Sequence, residues 1–154
     1  MAAGAWKVFD RAKKFIGNGT LSLSSTTFRL CLATSASNLK TSASARPLIN
    51  RTSLTGQVTS TLGCPVLGKA MTGEVWTTGA SGGQIKFDTD DLVFTATTSA
   101  IANIKFAVIF LTGASAGAQK LLCYSTLTTS QITSLAIDNT LTVQMASGGI
   151  LTLT

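Results

Sequence analysis

The chain has 154 residues, enough for one ordinary domain with a sizeable core and an N-terminal appendage. It contains no histidine and six carboxylate side chains, and charged residues make up 12% of it, about half the usual share. That scarcity argues against acid–base, metal and hydrolytic chemistry, which draw on the residues it lacks. No catalytic residue, metal ligand or cofactor site is expected. The net charge of +6 is lopsided: up to Arg51 eight basic residues face Asp10 alone, and beyond it four bases face five acids. An acidic partner is therefore expected to meet the first third of the chain.

Taken in order, Ala5, Val8, Phe9, Ala12, Phe15 and Ile16 recur at three- and four-residue intervals, predicting an amphipathic helix over Ala5–Ile16 with Trp6 flanking the stripe. Lys7, Asp10, Arg11 and Lys14 fall mainly on the other side, and Gly17-Asn18-Gly19 supplies the stop. Residues 1–19 thus read as a basic helical arm and 20–154 as the body. The period then changes to two. Leu21 and Leu23, then Phe28, Leu30 and Leu32, alternate with smaller or polar residues and predict a hairpin around Ser24–Thr27. Residues 34–61 have no firm period and predict a long irregular segment, with Leu48, Ile49, Leu54 and Val58 as candidate anchors.

Strands are predicted at Ala70–Thr77, Gln84–Phe87, Leu92–Ala96, Ala102–Leu111, Leu121–Leu127, Thr140–Met145 and Ile150–Leu153, separated by glycine-rich breaks. Ala102–Leu111 is the most apolar and is expected at the centre of a sheet, buried on both faces. About eight to nine short antiparallel strands at this spacing predict an all-β fold, a β-sandwich or jelly-roll-like domain with an N-terminal helix. The longest unbroken apolar run, Phe106–Leu111, is too short to span a bilayer. The opening residues scatter charge where a signal peptide needs an apolar stretch, so cytosolic synthesis is expected.

Asp88-Thr89-Asp90-Asp91 is the one carboxylate cluster; it reads either as a calcium loop or, with no glycine or terminal glutamate at the required spacing, as a polar turn. Cys31, Cys64 and Cys123 are an odd, widely spaced set, one short of a structural zinc site, and read as free thiols packed as small hydrophobes. Gly79–Gly83 and Gly113–Gly117 lack the Lys-Ser/Thr of a phosphate loop and read as hairpin loops. The basic helix carries three readings: nucleic-acid binding through Lys7, Arg11, Lys13 and Lys14, an in-plane membrane helix, or a docking helix whose apolar stripe packs on its own sandwich or on a neighbour, leaving the charges outward towards an acidic protein surface. Docking is the expected one, because no interleaved aromatics accompany the bases.

The segments AAGAWKVFDRAKKFIGNGTLSL, TTFRLCLATSASN, VWTTGASGGQIKFDTDDLVFTATTSAIANIKFAVIF, LLCYSTL and NTLTVQMASGGILTL, in that order, resemble a family of small virion structural proteins of tailed bacteriophages. The resemblance covers nearly the whole chain outside Leu39–Pro65. It implies an all-β, non-enzymatic particle component: a capsid cement or decoration protein, or alternatively a tail, collar or fibre-associated module. The implied partners are the major capsid protein and copies of the chain itself, a trimer suiting icosahedral symmetry axes, with no small-molecule substrate, nucleic acid or membrane. The implied location is the virion, after synthesis in the host cytoplasm. The expected interface residues are Trp6, Lys7, Phe9, Arg11, Lys13, Lys14, Ile16, Arg46 and Arg51.

Overall fold

The computed structural model describes residues 3–21, 23, 27–41, 48–58, 63–65, 67–78, 84–112, 118–127, 132–145 and 149–153. Among them the chain is mostly β, with three antiparallel sheets and one α-helix. The elements in chain order are β1 (Lys7–Val8), α1 (Asp10–Gly17), β2 (Phe28–Thr34), β3 (Lys69–Ala70), β4 (Val75–Thr78), β5 (Ile85–Asp88), β6 (Leu92–Thr95), β7 (Ile101–Leu111), β8 (Leu121–Thr126), β9 (Ile132–Leu135), β10 (Thr140–Val143) and β11 (Leu151–Leu153).

The largest sheet runs β1-β8-β7-β2-β3. Ile104 pairs with Thr34 of β2 and with Ile132 of β9, so β9 follows β8 along the same edge of β7. Asn103, at φ 59, accepts the left-handed geometry that asparagine tolerates and marks this change of partner. Phe106–Phe110 are buried without alternation, as expected of a strand covered on both faces. The register separates those faces. Cys31, Val108 and Tyr124 lie opposite one another and share one; Leu30, Ile109 and Cys123 share the other.

The second face is covered by the two smaller sheets, β10-β6 and β11-β5-β4. Phe28 stacks on Phe87 with centroids 4.9 Å apart, Trp76 meets the same ring at 4.9 Å, and the Lys69 ammonium lies 5.7 Å from the Phe94 ring. The first face is covered by the N-terminal segment and by residues between Leu39 and Cys64. Leu39, Leu48, Leu54, Val58 and Cys64 all join the core, and Ile49, only half-buried, is the weakest of the expected anchors.

The strand expected at Ala70–Thr77 is divided between two sheets as β3 (Lys69–Ala70) and β4 (Val75–Thr78), and two further local predictions are corrected. Helix is present only from Asp10; residues 7–8 are a strand, and Phe9 is extended (φ −64, ψ 141). The apolar positions at 5, 8 and 9 fit either period, and the open edge of β8 decides between them. Gly4 N–H donates to Thr126 O (3.0 Å) and Phe9 N–H to Leu122 O (3.1 Å), satisfying backbone groups that a sheet edge would leave bare. The helix then stops as predicted: Asn18 N–H reaches Lys14 O at 3.0 Å, and Gly19 takes φ 73.

The second correction concerns the early hairpin. β2 pairs with β7 on one edge and β3 on the other, leaving Leu21 and Leu23 no place in the ladder. Leu21 N–H instead closes the helix end by donating to Phe15 O (3.0 Å). The predicted turn at Ser24–Thr27 lies outside the described residues except for Thr27, as do the glycine loops at 79–83 and 113–117.

The N-terminal segment is thus bonded into the body, and Phe9 is its anchor: 1% exposed, its ring 5.1 Å from that of Tyr124. Phe9→Ala should lower the stability of the whole fold by about 3 kcal/mol, read as a shift of the urea unfolding midpoint at unchanged slope.

Candidate functional site

The expected interface residues separate into two groups once placed on the fold. Lys7, Arg11, Lys13 and Lys14 are exposed along β1 and the outer face of α1. Lys13 reaches Asp10 at 3.6 Å, an exposed pair that contributes little to stability. Lys120, not singled out by the sequence, joins this strip by placing its ammonium 5.6 Å from the Phe15 ring. The result is a cationic band on a rigid sheet edge.

The apolar members face inward. Phe9 is buried, and Trp6 and Ile16 are partly buried against the core, so as anchors for a partner Phe9 is spent and the other two offer only part of their surface. The Trp6 indole Nε1 is buried without an acceptor. Arg46 lies outside the described residues.

Arg51 is the departure from the sequence reading, since the residue is only 8% exposed. Its Nε donates to Gln57 Oε1 (2.6 Å), its Nη1 to Gln119 Oε1 (3.2 Å), and its plane lies 5.1 Å from the Phe110 ring. Its backbone closes the knot: Arg51 N–H donates to Gln119 O (3.0 Å), and Gln57 Nε2 donates to Arg51 O (3.1 Å) and Leu54 O (2.9 Å). No carboxylate neutralises this cation among the described residues; neutral amides and an aromatic face hold it. Arg51 therefore ties the long connection to β7 and to the start of β8. Its acceptors lie 6 and 68 residues away in sequence, and no local pattern announces them.

The carboxylate cluster disperses on local partners. Asp88 pairs with Lys86 (3.0 Å) and takes the Thr89 N–H (3.0 Å). Asp90 accepts from the Thr72 hydroxyl (3.0 Å), and Asp91 accepts the Met145 N–H (2.8 Å). Gly73, at φ 66, sits so close under Asp90 that a Cβ there would fall 2.5 Å from the carboxylate. The segment behaves as the polar-turn reading described. No group of three or more potential metal ligands converges among the described residues. No described helix is long and apolar enough to cross a membrane.

All three thiols are buried and free. Burial pushes Cys31 up to about 12, helped by the neighbouring Cys64 and opposed by Arg51. Burial likewise raises Cys64 and Cys123. Thiols held protonated in this way are poor nucleophiles and poor metal ligands. Comparison of the chain with protein-family models, curated proteins and solved structures finds no match.

Two outcomes follow. Arg51→Ala strands the buried Gln119 acceptor and the half-buried Gln57 acceptor and should cost about 3 kcal/mol, with hydrogen-exchange protection lost first around residues 48–58. The thiols add an alkaline dependence: the folded state keeps a proton that the unfolded chain surrenders above its ordinary value of about 9. Their contribution is complete below that pH and declines as pH climbs towards 12. Thermal melts should fall across this window, and less steeply in Cys31→Ala than in the parent chain.

Proposed function

We propose that the chain is a non-enzymatic structural protein of tailed-phage particles, a cement or decoration protein that binds the major capsid protein lattice. In this reading the two small sheets and the large sheet form a jelly-roll-like sandwich that serves as an inert body. The supporting observation is the division of labour around the N-terminal segment. Its apolar side is consumed in the core, while Lys7, Arg11, Lys13 and Lys14 are held outward on a sheet edge. A band of bases carried on an ordered strand and helix suits recognition of an acidic surface and loses little backbone freedom on docking. The sequence resemblance, which runs over nearly the whole chain, supplies the identity of that surface.

Weak docking repeated over a lattice becomes strong collectively, so modest contacts per copy suffice. The low overall charge of 12% lets many copies lie close together with little mutual repulsion. Two expectations test the reading. The protein should be found in purified particles at a copy number on the order of hundreds, as a repeating head lattice demands. A handful of copies would transfer it to the tail, collar or fibre. The variant Lys7→Glu/Lys14→Glu should keep the parent unfolding curve yet fail to co-sediment with shells built from the major capsid protein. Undiminished co-sedimentation of that folded variant would overturn the cationic-edge docking.

A further inference from the structure

We propose that copies of this chain associate head to tail, the cationic β1–α1 edge of one copy meeting the acidic turns beside β3 of the next. The starting point is where the few charges lie. Four of the six carboxylates cluster here: Glu74 in the β3–β4 turn, Asp88 at the end of β5, and Asp90 and Asp91 in the β5–β6 turn. The two turns are joined: Asp90 N–H donates to Thr72 O (3.0 Å), and the Thr72 hydroxyl donates to Asp90 Oδ2 (3.0 Å). Met71 N–H donates to Phe28 O (3.0 Å), so this acidic corner continues from β3, the last strand of the large sheet.

The cationic band lies at the other end of the same sheet, since β1 is its first strand. Three strands separate the two, which puts the β1 and β3 edges about 19 Å apart at ordinary interstrand spacing. That distance exceeds the screening length at physiological salt, so the edges do not neutralise each other within one molecule.

Both surfaces have charge to spare. At the acidic corner Lys86 is taken up by Asp88, and the half-buried Lys69 donates to the Val93 carbonyl and lies 5.7 Å from the Phe94 ring. Glu74, Asp90 and Asp91 are exposed, and the last two each engage one carboxylate oxygen in the contacts described above. At the basic edge Lys7, Arg11 and Lys14 are exposed, and Asp10 is the one carboxylate on the helix.

A second copy is the occupant that presents the complementary surface at equal concentration and on an equally rigid frame. Because the two surfaces differ, the contact is heterologous: it propagates into a ring if the rotation closes and into a chain of copies if it does not. The contact uses the same basic edge that lattice docking would use, so the two are alternative engagements of one surface, and self-association is a property of the free protein.

Sedimentation velocity on the full chain, with no particle present, tests it. At about 50 mM salt the protein should form concentration-dependent assemblies that dissociate by about 500 mM, where screening falls to a few ångströms. Arg11→Glu and Glu74→Lys, both at exposed positions, should each weaken association about tenfold by placing like charges together. An equimolar mixture of the two variants should re-associate, because each supplies the face that the other has lost. Lys14→Glu serves in place of Arg11→Glu should the latter fail to show the parent circular-dichroism spectrum. A monomer at every concentration in low salt, assemblies indifferent to either substitution, or a mixture that stays dissociated would each overturn the proposal. Lattice docking is read separately by co-sedimentation with shells, so failure of one leaves the other standing.

Discussion

The segment Phe106–Leu111 has no hydrophilic face, and much of the architecture answers that requirement. A strand buried on both sides needs two covers, and its neighbours β2 and β8 carry the same burden. One cover comes from the two small sheets, delivered through Phe28, Phe87 and Phe94. The other is assembled from pieces with little regular structure of their own: the N-terminal residues through Phe9, and the long connection through Leu39, Leu54, Val58 and Cys64. Arg51 belongs to this second cover. Burying a guanidinium is costly, and it is tolerated here because two glutamine carbonyls and the Phe110 ring replace water around it.

This dependence explains what was legible in the amino-acid order and what was not. Strands β2, β5, β6, β7, β8, β10 and β11 were visible because each carries a local signal, either alternation or an unbroken apolar run. The exposed bases of α1 and the polar turn at Asp88–Asp91 were visible for the same reason. β1 and β9 escaped notice. Lys7–Val8 becomes a strand only because β8 offers an open edge, and Ile132–Leu135 pairs only with the two or three residues of β7 left free by β8. Pairing of this kind is a tertiary decision that overrides local propensity. Phe9 and Arg51 were misread as surface residues by the same route. An aromatic on an apolar stripe can pack on a partner as well as on its own body, and a base in a polar stretch looks solvent-facing, until Tyr124, Gln57 and Gln119 are brought beside them.

The charge distribution is a consequence of the two-sided core. With the apolar rows of the central strands covered by other segments, most exposed charges lie at the ends of the sheet and in its turns, while Arg29 and Arg51 are held by carbonyl and amide oxygens. The few carboxylates gather where the small sheets turn, and the bases gather where the chain enters. A chain with the usual density of charge would intersperse the two signs and blur any polarity. Here the sparse population leaves two separate patches of opposite sign.

Rigidity gives that polarity its use. A basic tail on a flexible tether would have to surrender conformational freedom with each contact, and much of its electrostatic gain would be lost to ordering. In this chain the backbone share of that ordering cost has already been met on folding. Phe9 is locked against Tyr124, Gly4 and Phe9 are hydrogen-bonded to β8, and Lys120 lies across Phe15. The bases are presented in a fixed array whose spacing is set by one turn of helix and one strand. The buried face of the segment and its charged face are therefore a single device, in which the core contact fixes the geometry that makes a weak, salt-sensitive surface selective.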